Sequence, residues 1–214
     1  MTDQLPGGAS ARLHDIGRWI ARGPARTPFR VRSHHVSRMP AEGPVVVVAN
    51  HSSMADGPIL FGVLPRRVVF LIKQEMFKGV VGTLLRKIGQ LAVRRGEPDR
   101  APLLAAQKVL RAGGVVGVFP EGTRGAGDVA EAQRGAAWLA RSTGAVVVPV
   151  ACRGTRRPDG TGRRFRPVVD VLVGEPFELP TDKGRQALVK ATEQVRDRLA
   201  TLVAELDSQR GEVR

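Results

Sequence analysis

Val45–Ala49 (VVVVA), Val68–Ile72 (VVFLI), Val115–Phe119 (VVGVF) and Ala145–Val150 (AVVVPV) are runs of mostly β-branched residues with almost no polar interruption. A strand covered on one face alternates apolar and polar residues. Continuous apolar runs of this length predict strands covered on both faces, the arrangement of parallel sheets. Val168–Val173 (VVDVLV) is a fifth such strand, with Pro167 just ahead of it, where a missing N–H does least harm, and Leu91–Val93 is a short sixth. Helical patterns lie between them. Pro58–Leu64 is one; Phe77 opens another with Val80, Val81, Leu84, Leu85 and Ile88 at helical spacing. Asp99 reads as the cap of a helix through Leu110 ended by Gly113-Gly114, and Ala130–Ser142 is a helix closed by Gly144. A long last helix starts near Thr181 or Asp182, with Leu188, Val195, Leu199, Leu202 and Leu206 as its apolar positions. The alternation predicts an α/β fold, a mostly parallel sheet with helices on both faces.

Residues 1–9 read as a disordered leader, 10–30 as a short N-terminal amphipathic helical segment, 31–207 as the α/β domain and 208–214 as a disordered tail. In the N-terminal segment Leu13, Ile16, Trp19 and Ile20 fall near one face, flanked by Arg12, Arg18 and Arg22. That pattern suits a basic helix lying in a lipid interface; it also suits a helix packed on the core of its own domain. Lys and Arg number 34 against 20 Asp and Glu, a net charge of +14. A surplus of this size points to an anionic partner: nucleic acid, anionic lipid headgroups or phosphorylated small molecules. It also reflects composition, since only 6 of the 34 are Lys. Cys152 is the only cysteine, which rules out an internal disulfide, suits a reducing compartment and reads as a buried, inert thiol. No apolar run nears the ~20 residues of a membrane span, and the N-terminus has no secretory pattern. The expected location is peripheral, on the cytoplasmic side of a membrane.

In open α/β sheets sites form beyond the carboxyl ends of the strands. The run at 45–49 leads into Asn50-His51-Ser52-Ser53-Met54-Ala55-Asp56-Gly57-Pro58. On one continuous helix His51 and Asp56 would stand about 140° apart. A turn between strand and helix, with Asp56 near the helix start, instead brings the carboxylate onto the imidazole. A carboxylate on one ring nitrogen fixes the tautomer and stabilises the imidazolium, leaving the other nitrogen as a general base. Ser52 and Ser53 sit too near His51 in sequence to pair with it as nucleophiles. The run at 115–119 ends in Pro120-Glu121-Gly122-Thr123-Arg124. There Gly122 allows a ligand close to the backbone, Thr123 adds a hydroxyl, Glu121 can accept a hydrogen bond or position a cation, and Arg124 offers a fork for phosphate.

Together these segments resemble the signature of the glycerolipid acyltransferase superfamily, above all its 1-acylglycerol-3-phosphate acyltransferases. Asn50, His51 and Asp56 match that family's Asn-His-x4-Asp motif, and Phe119–Arg124 matches its Phe-Pro-Glu-Gly-Thr-Arg motif. Gly89–Arg95 is similar to its second motif, with Arg94 where many members have Asp, and Val146–Val150 with Pro149 is similar to its fourth. The four stand in family order over about half the chain.

The resemblance implies transfer of a fatty acyl group from acyl-CoA or acyl carrier protein, a co-substrate rather than a cofactor, to the free hydroxyl of a lysophosphatidic-acid-type acceptor. His51 would be the general base and Asp56 its orienting partner. Glu121, Gly122, Thr123 and Arg124 would bind the acceptor, Arg124 at its phosphate, with Arg95 and Lys73 as further phosphate ligands. No metal is expected. The arginines at 153, 156, 157, 163, 164 and 166 form a basic loop suited to anionic headgroups, to the phosphates of CoA or to an acidic carrier protein. Glycerol 3-phosphate or another lysolipid is an alternative acceptor. Two rivals remain: a nucleic-acid-binding protein, although nine Phe plus Trp and no Tyr leave few stacking platforms, and a hydrolase that passes the acyl group to water.

Overall fold

In a computed structural model, residues 4–23, 27–94, 100–120, 126–156, 165–182 and 184–212 are described, with the backbone alone for 126–133 and 212. The elements are α1 (Ala11–Arg22), β1 (Arg30–His34), β2 (Val45–Ala49), α2 (Asp56–Val63), β3 (Val68–Lys73), α3 (Gly79–Lys87), β4 (Leu91–Val93), α4 (Ala101–Arg111), β5 (Val115–Val118), α5 (Ala126–Thr143), β6 (Val146–Arg153), β7 (Val168–Val173) and α6 (Arg185–Glu212). The strands form one sheet in the order β1-β7-β6-β2-β5-β3-β4. β6, β2, β5, β3 and β4 are parallel, whereas β7 runs antiparallel to β6 and carries β1 parallel beside it.

The α/β expectation holds, and the reason is visible in β2. Val45, Val47 and Ala49 face α1 and α2, with Ile59, Leu60 and Leu64 against them, while Val46 and Val48 face α4, α5 and α6, with Leu110, Leu139 and Val195. Both faces of the strand are fully buried, so neither tolerates a polar residue. β1 went unforeseen because it is an edge strand of charged and polar residues, RVRSH, with mostly exposed side chains.

Both termini correct the expected boundaries. Leu5 is buried in the α4–α5 cluster and Pro6 touches Gly89, so residues 4–9 pack rather than trail as a disordered leader. At the other end α6 continues through 208–212, where a disordered tail was expected, and Arg210 reaches Asp170 of β7. An ion pair beyond the last core leucine carries the helix on.

α1 packs on α2, but with its faces exchanged. His14 is buried and its Nδ1 lies 2.7 Å from the Ile88 carbonyl. Arg18 and Arg22 donate to the Leu64 and Gly62 carbonyls at 2.5 and 2.8 Å. These carbonyls belong to the end of α2, where a helix leaves its last acceptors unpaired and favours cations. Gly62 permits the close crossing, since a Cβ there would lie 2.8 Å from the Ala21 backbone. Leu13, Ile16, Trp19 and Ile20 therefore face outward, Trp19 at 69 % exposure. Among the described residues no helix is long and apolar enough to cross a membrane.

Candidate active site

The carboxyl end of β2 delivers Asn50 and His51. Asn50 is fully buried and bridges to β6, its Nδ2 donating to the Cys152 carbonyl at 2.9 Å and its Oδ1 accepting the Cys152 amide at 2.7 Å. A side chain that replaces a backbone rung in this way fixes the direction in which β2 releases the next residue. His51 Nδ1 lies 3.2 Å from Asp56 Oδ2. The turn expected between strand and helix is present: Asp56 is the first residue of α2, and its Oδ2 also accepts the Ser52 and Ser53 amides at 2.6 and 2.8 Å. Both serines thus serve the turn through their backbones.

The other oxygen of Asp56 is held from β6. Thr155 Oγ1 donates to Asp56 Oδ1 at 2.5 Å, and the Cys152 thiol sits 3.6 Å from the same atom. The Asp56 side chain has no exposure. Burial works to raise its carboxyl, but hydrogen bonds from His51, Thr155 and the Ser53 and Ser52 amides outweigh burial and hold it below the ordinary carboxylate range. It stays ionised at neutral pH, as an orienting partner for imidazole must. Burial and then the Asp56 carboxylate push the Cys152 thiol well up, so it is inert, as its sequence context suggested.

The His51 ring is backed by aromatics. Phe119, just past β5, lies 4.7 Å from it between ring centroids, and Phe70 of β3 stacks on Phe119 at 5.3 Å. Phe70 lies across β5 because Gly117 has no side chain; a Cβ there would stand 2.4 Å from the Phe70 ring. The imidazole is thus pinned on one ring face and at Nδ1. Its Nε2 is directed away from Asp56, and the side chain keeps 21 % exposure, enough to meet a substrate. An imidazole fixed at one nitrogen by an ionised carboxylate can act through the other as a general base for a hydroxyl.

Lys73 closes β3 on the same rim, two strand positions from β2, and shares no hydrogen bond with His51 or Asp56. Glu121, Gly122, Thr123, Arg124 and Arg95 lie outside the described residues, as do positions 157–164 of the basic loop. Phe119-Pro120 bring the chain to that rim, and Arg94 pairs with Gln74 at 2.6 Å. Sequence reasoning missed Thr155, since a lone threonine after a strand carries no signal. Arg153, read from the sequence as part of the basic loop, is the last residue of β6; it grips Asp207 of α6 through Nε and Nη2 at 2.7 and 2.9 Å and lies 3.5 Å from Ser52 Oγ. Among the described residues no three His, Cys, Asp or Glu side chains gather as metal ligands would.

The family model described as Acyltransferase matches residues 30–153, the stretch from β1 to the end of β6. The 1-acyl-sn-glycerol-3-phosphate acyltransferase of Bacillus subtilis (strain 168) is 30 % identical over 186 residues, covering 83 % of this chain and 90 % of that protein. The human 1-acyl-sn-glycerol-3-phosphate acyltransferase beta is 34 % identical over 127 residues, 57 % of this chain and 45 % of its own length. The crystal structure of the 1-acyl-sn-glycerophosphate acyltransferase PlsC from Thermotoga maritima superposes with a TM-score of 0.64 at 26 % identity, covering 92 % of this chain and 78 % of that one. The matched stretch contains the strand-end histidine, its carboxylate and the asparagine that aims them, and the chain belongs to the acyltransferase family.

Proposed function

We propose that the protein transfers a fatty acyl group from an acyl thioester to the free hydroxyl of a 1-acylglycerol 3-phosphate, a step of phospholipid biosynthesis. The observation that carries this reading is His51 held at Nδ1 by the buried Asp56 carboxylate, with Nε2 left open. Nε2 takes the proton of the acceptor hydroxyl as its oxygen attacks the thioester carbonyl. Asp56 stabilises the imidazolium, which returns the proton to the leaving thiolate. No acyl-enzyme is required. Arg124 binds the acceptor phosphate, with Glu121, Gly122 and Thr123 around the glycerol and Arg95 and Lys73 as further phosphate ligands; the motif at Phe119–Arg124 supports this placement. The donor is acyl-CoA or acyl carrier protein, and no cofactor takes part. Glycerol 3-phosphate or another lysolipid is the alternative acceptor.

The enzyme works on the cytoplasmic side of a membrane, peripherally, against anionic lipid. The exchanged faces of α1 support this. A helix that spends its polar face on its own domain and turns Leu13, Ile16, Trp19 and Ile20 outward is built for an apolar phase. Nucleic acid is not a partner in this reading. The test is palmitoyl-CoA with a panel of acceptors, products identified by mass. His51→Ala is expected to lose transfer while keeping its fold, and Arg124→Ala to weaken acceptor use chiefly. Wild-type turnover by His51→Ala, or thiol release without any need for lysolipid, overturns the reading.

A further inference from the structure

The basic loop before β7 has no role in the proposed reaction, yet its described end meets an unforeseen neighbour. β7 and β1 run against the other five strands, so their amino ends open at the rim where β2 and β5 end. There Arg30 and Arg32 of β1, Arg166 ahead of β7 and Arg22 of α1 line an open cavity of about 450 Å³ with Thr27 and Phe29. Arg22 spends its Nε on the Gly62 carbonyl. The guanidinium groups of Arg30, Arg32 and Arg166 have no hydrogen-bond or ion-pair partner among the described residues. The carboxylate in register with Arg32, Asp170, is engaged by Arg210 and His34. Among the described residues no acidic one lines the cavity. Arg166 holds φ at 47°, a region that residues with a Cβ seldom occupy. Phe165 beside it leaves its ring 94 % exposed.

Like charges facing one cavity repel, and several planar forks around one space match several phosphate oxygens. We propose that this cavity binds the phosphates of a nucleotide-type ligand and, resting on the acyl-transfer reading above, holds the CoA portion of the acyl donor during turnover. CoA carries a diphosphate and a ribose phosphate, enough to occupy the unpaired arginines. The phosphopantetheine of a carrier protein brings one phosphodiester and leaves most of them without a partner. Phe29 and Phe165 offer apolar and aromatic surface to the base. The reach also fits: β1 stands three strand spacings from β2, about 14 Å at ~4.8 Å each. The dozen bonds of an extended pantetheine arm cover about 14 Å at polypeptide-like reach. A lipid headgroup shares the phosphate chemistry and is the competing source.

Adenosine 3′,5′-bisphosphate, titrated calorimetrically into the full chain, tests the assignment. Wild type is expected to bind it, more weakly as salt rises. Arg30→Ala with Arg166→Ala, both at exposed positions, is expected to lose at least tenfold in affinity with an unchanged circular dichroism spectrum. Phosphatidylglycerol vesicles form the second arm. If the double variant loses vesicle binding while wild type ignores the nucleotide, the phosphate is a lipid's and the donor assignment falls. If the variant binds the nucleotide as wild type does, or if wild type binds neither, the site is refuted. Should the variant misfold, the salt dependence of wild-type binding still decides, since salt-insensitive binding also refutes the site. The titration needs no acyl transfer, so it stands or falls apart from the role of His51.

Discussion

Thr155→Val removes one hydroxyl hydrogen bond and nearly nothing else, and the loss falls on a single oxygen of the buried carboxylate. Asp56 Oδ2 keeps its contacts with His51 Nδ1 and the amides of Ser52 and Ser53, whereas Oδ1 loses the 2.5 Å bond and retains only the Cys152 thiol at 3.6 Å. A hydrogen bond to a charged acceptor contributes about 1.5–3 kcal/mol. The variant should be less stable by about 2 kcal/mol, a melting-temperature drop of about 4–8 °C for a chain of this size. The pH dependence has a definite sign. A carboxyl held below its ordinary value contributes stability above that value and loses it as pH falls through the folded-state value. Removing Thr155, one of the groups that lower it, raises the folded-state value, so acid unfolding should begin at a higher pH. The freed carboxylate also aims His51 less well, and a tenfold loss of kcat, about 1.4 kcal/mol, is expected. Urea unfolding at neutral pH, an acid titration followed by circular dichroism and acyl-transfer kinetics measure the three effects. Thr155→Ser should restore all of them. If Thr155→Val stays within about 0.5 kcal/mol of wild type, with the same acid midpoint and kcat, the hydroxyl does not hold Asp56.

Gly117→Ala should disturb the site from beneath, because its Cβ would lie 2.4 Å from the Phe70 ring. The expected cost is about 1–3 kcal/mol with reduced turnover, read by thermal unfolding and kinetics. Trp19→Ala with Ile16→Ala should weaken flotation with anionic vesicles while leaving the melting temperature within a degree or two, as both side chains are exposed. Unchanged flotation would remove α1 from the membrane contact. Cys152 should resist a thiol reagent in the native protein and react fully in denaturant; rapid native labelling would contradict its burial.

Much of the fold was legible because β2, β3, β5 and β6 are apolar on both faces, a pattern few other folds require. Strand direction was not. β7 has the same valine-rich composition as its neighbours, and nothing in it records that it runs antiparallel to β6. β1 escaped notice because its charges read as loop. The pairing of His51 with Asp56 followed from a strand, a turn and a helix start set close together, a local argument. Thr155 and Arg153 reach the same place from about a hundred residues away, through β6, and no local pattern encodes that. α1 showed its amphipathic character plainly, but which face turned inward was decided by the carbonyls of Gly62 and Leu64 at the end of α2.

The reversal of β7 and β1 gives the rim two halves of opposite chain direction. One half is built from the turns after β2 and β5; the other from Arg30, Arg32 and Arg166 at the amino ends of β1 and β7, where the chain enters the rim rather than leaves it. Side chains of Arg30 and Arg166 share no hydrogen bond with His51 or Asp56, so substitutions at these two pairs are expected to add in free energy. If the arginine-lined half holds the donor, as proposed above, changes there would alter the choice of donor while leaving the His51 half as it is.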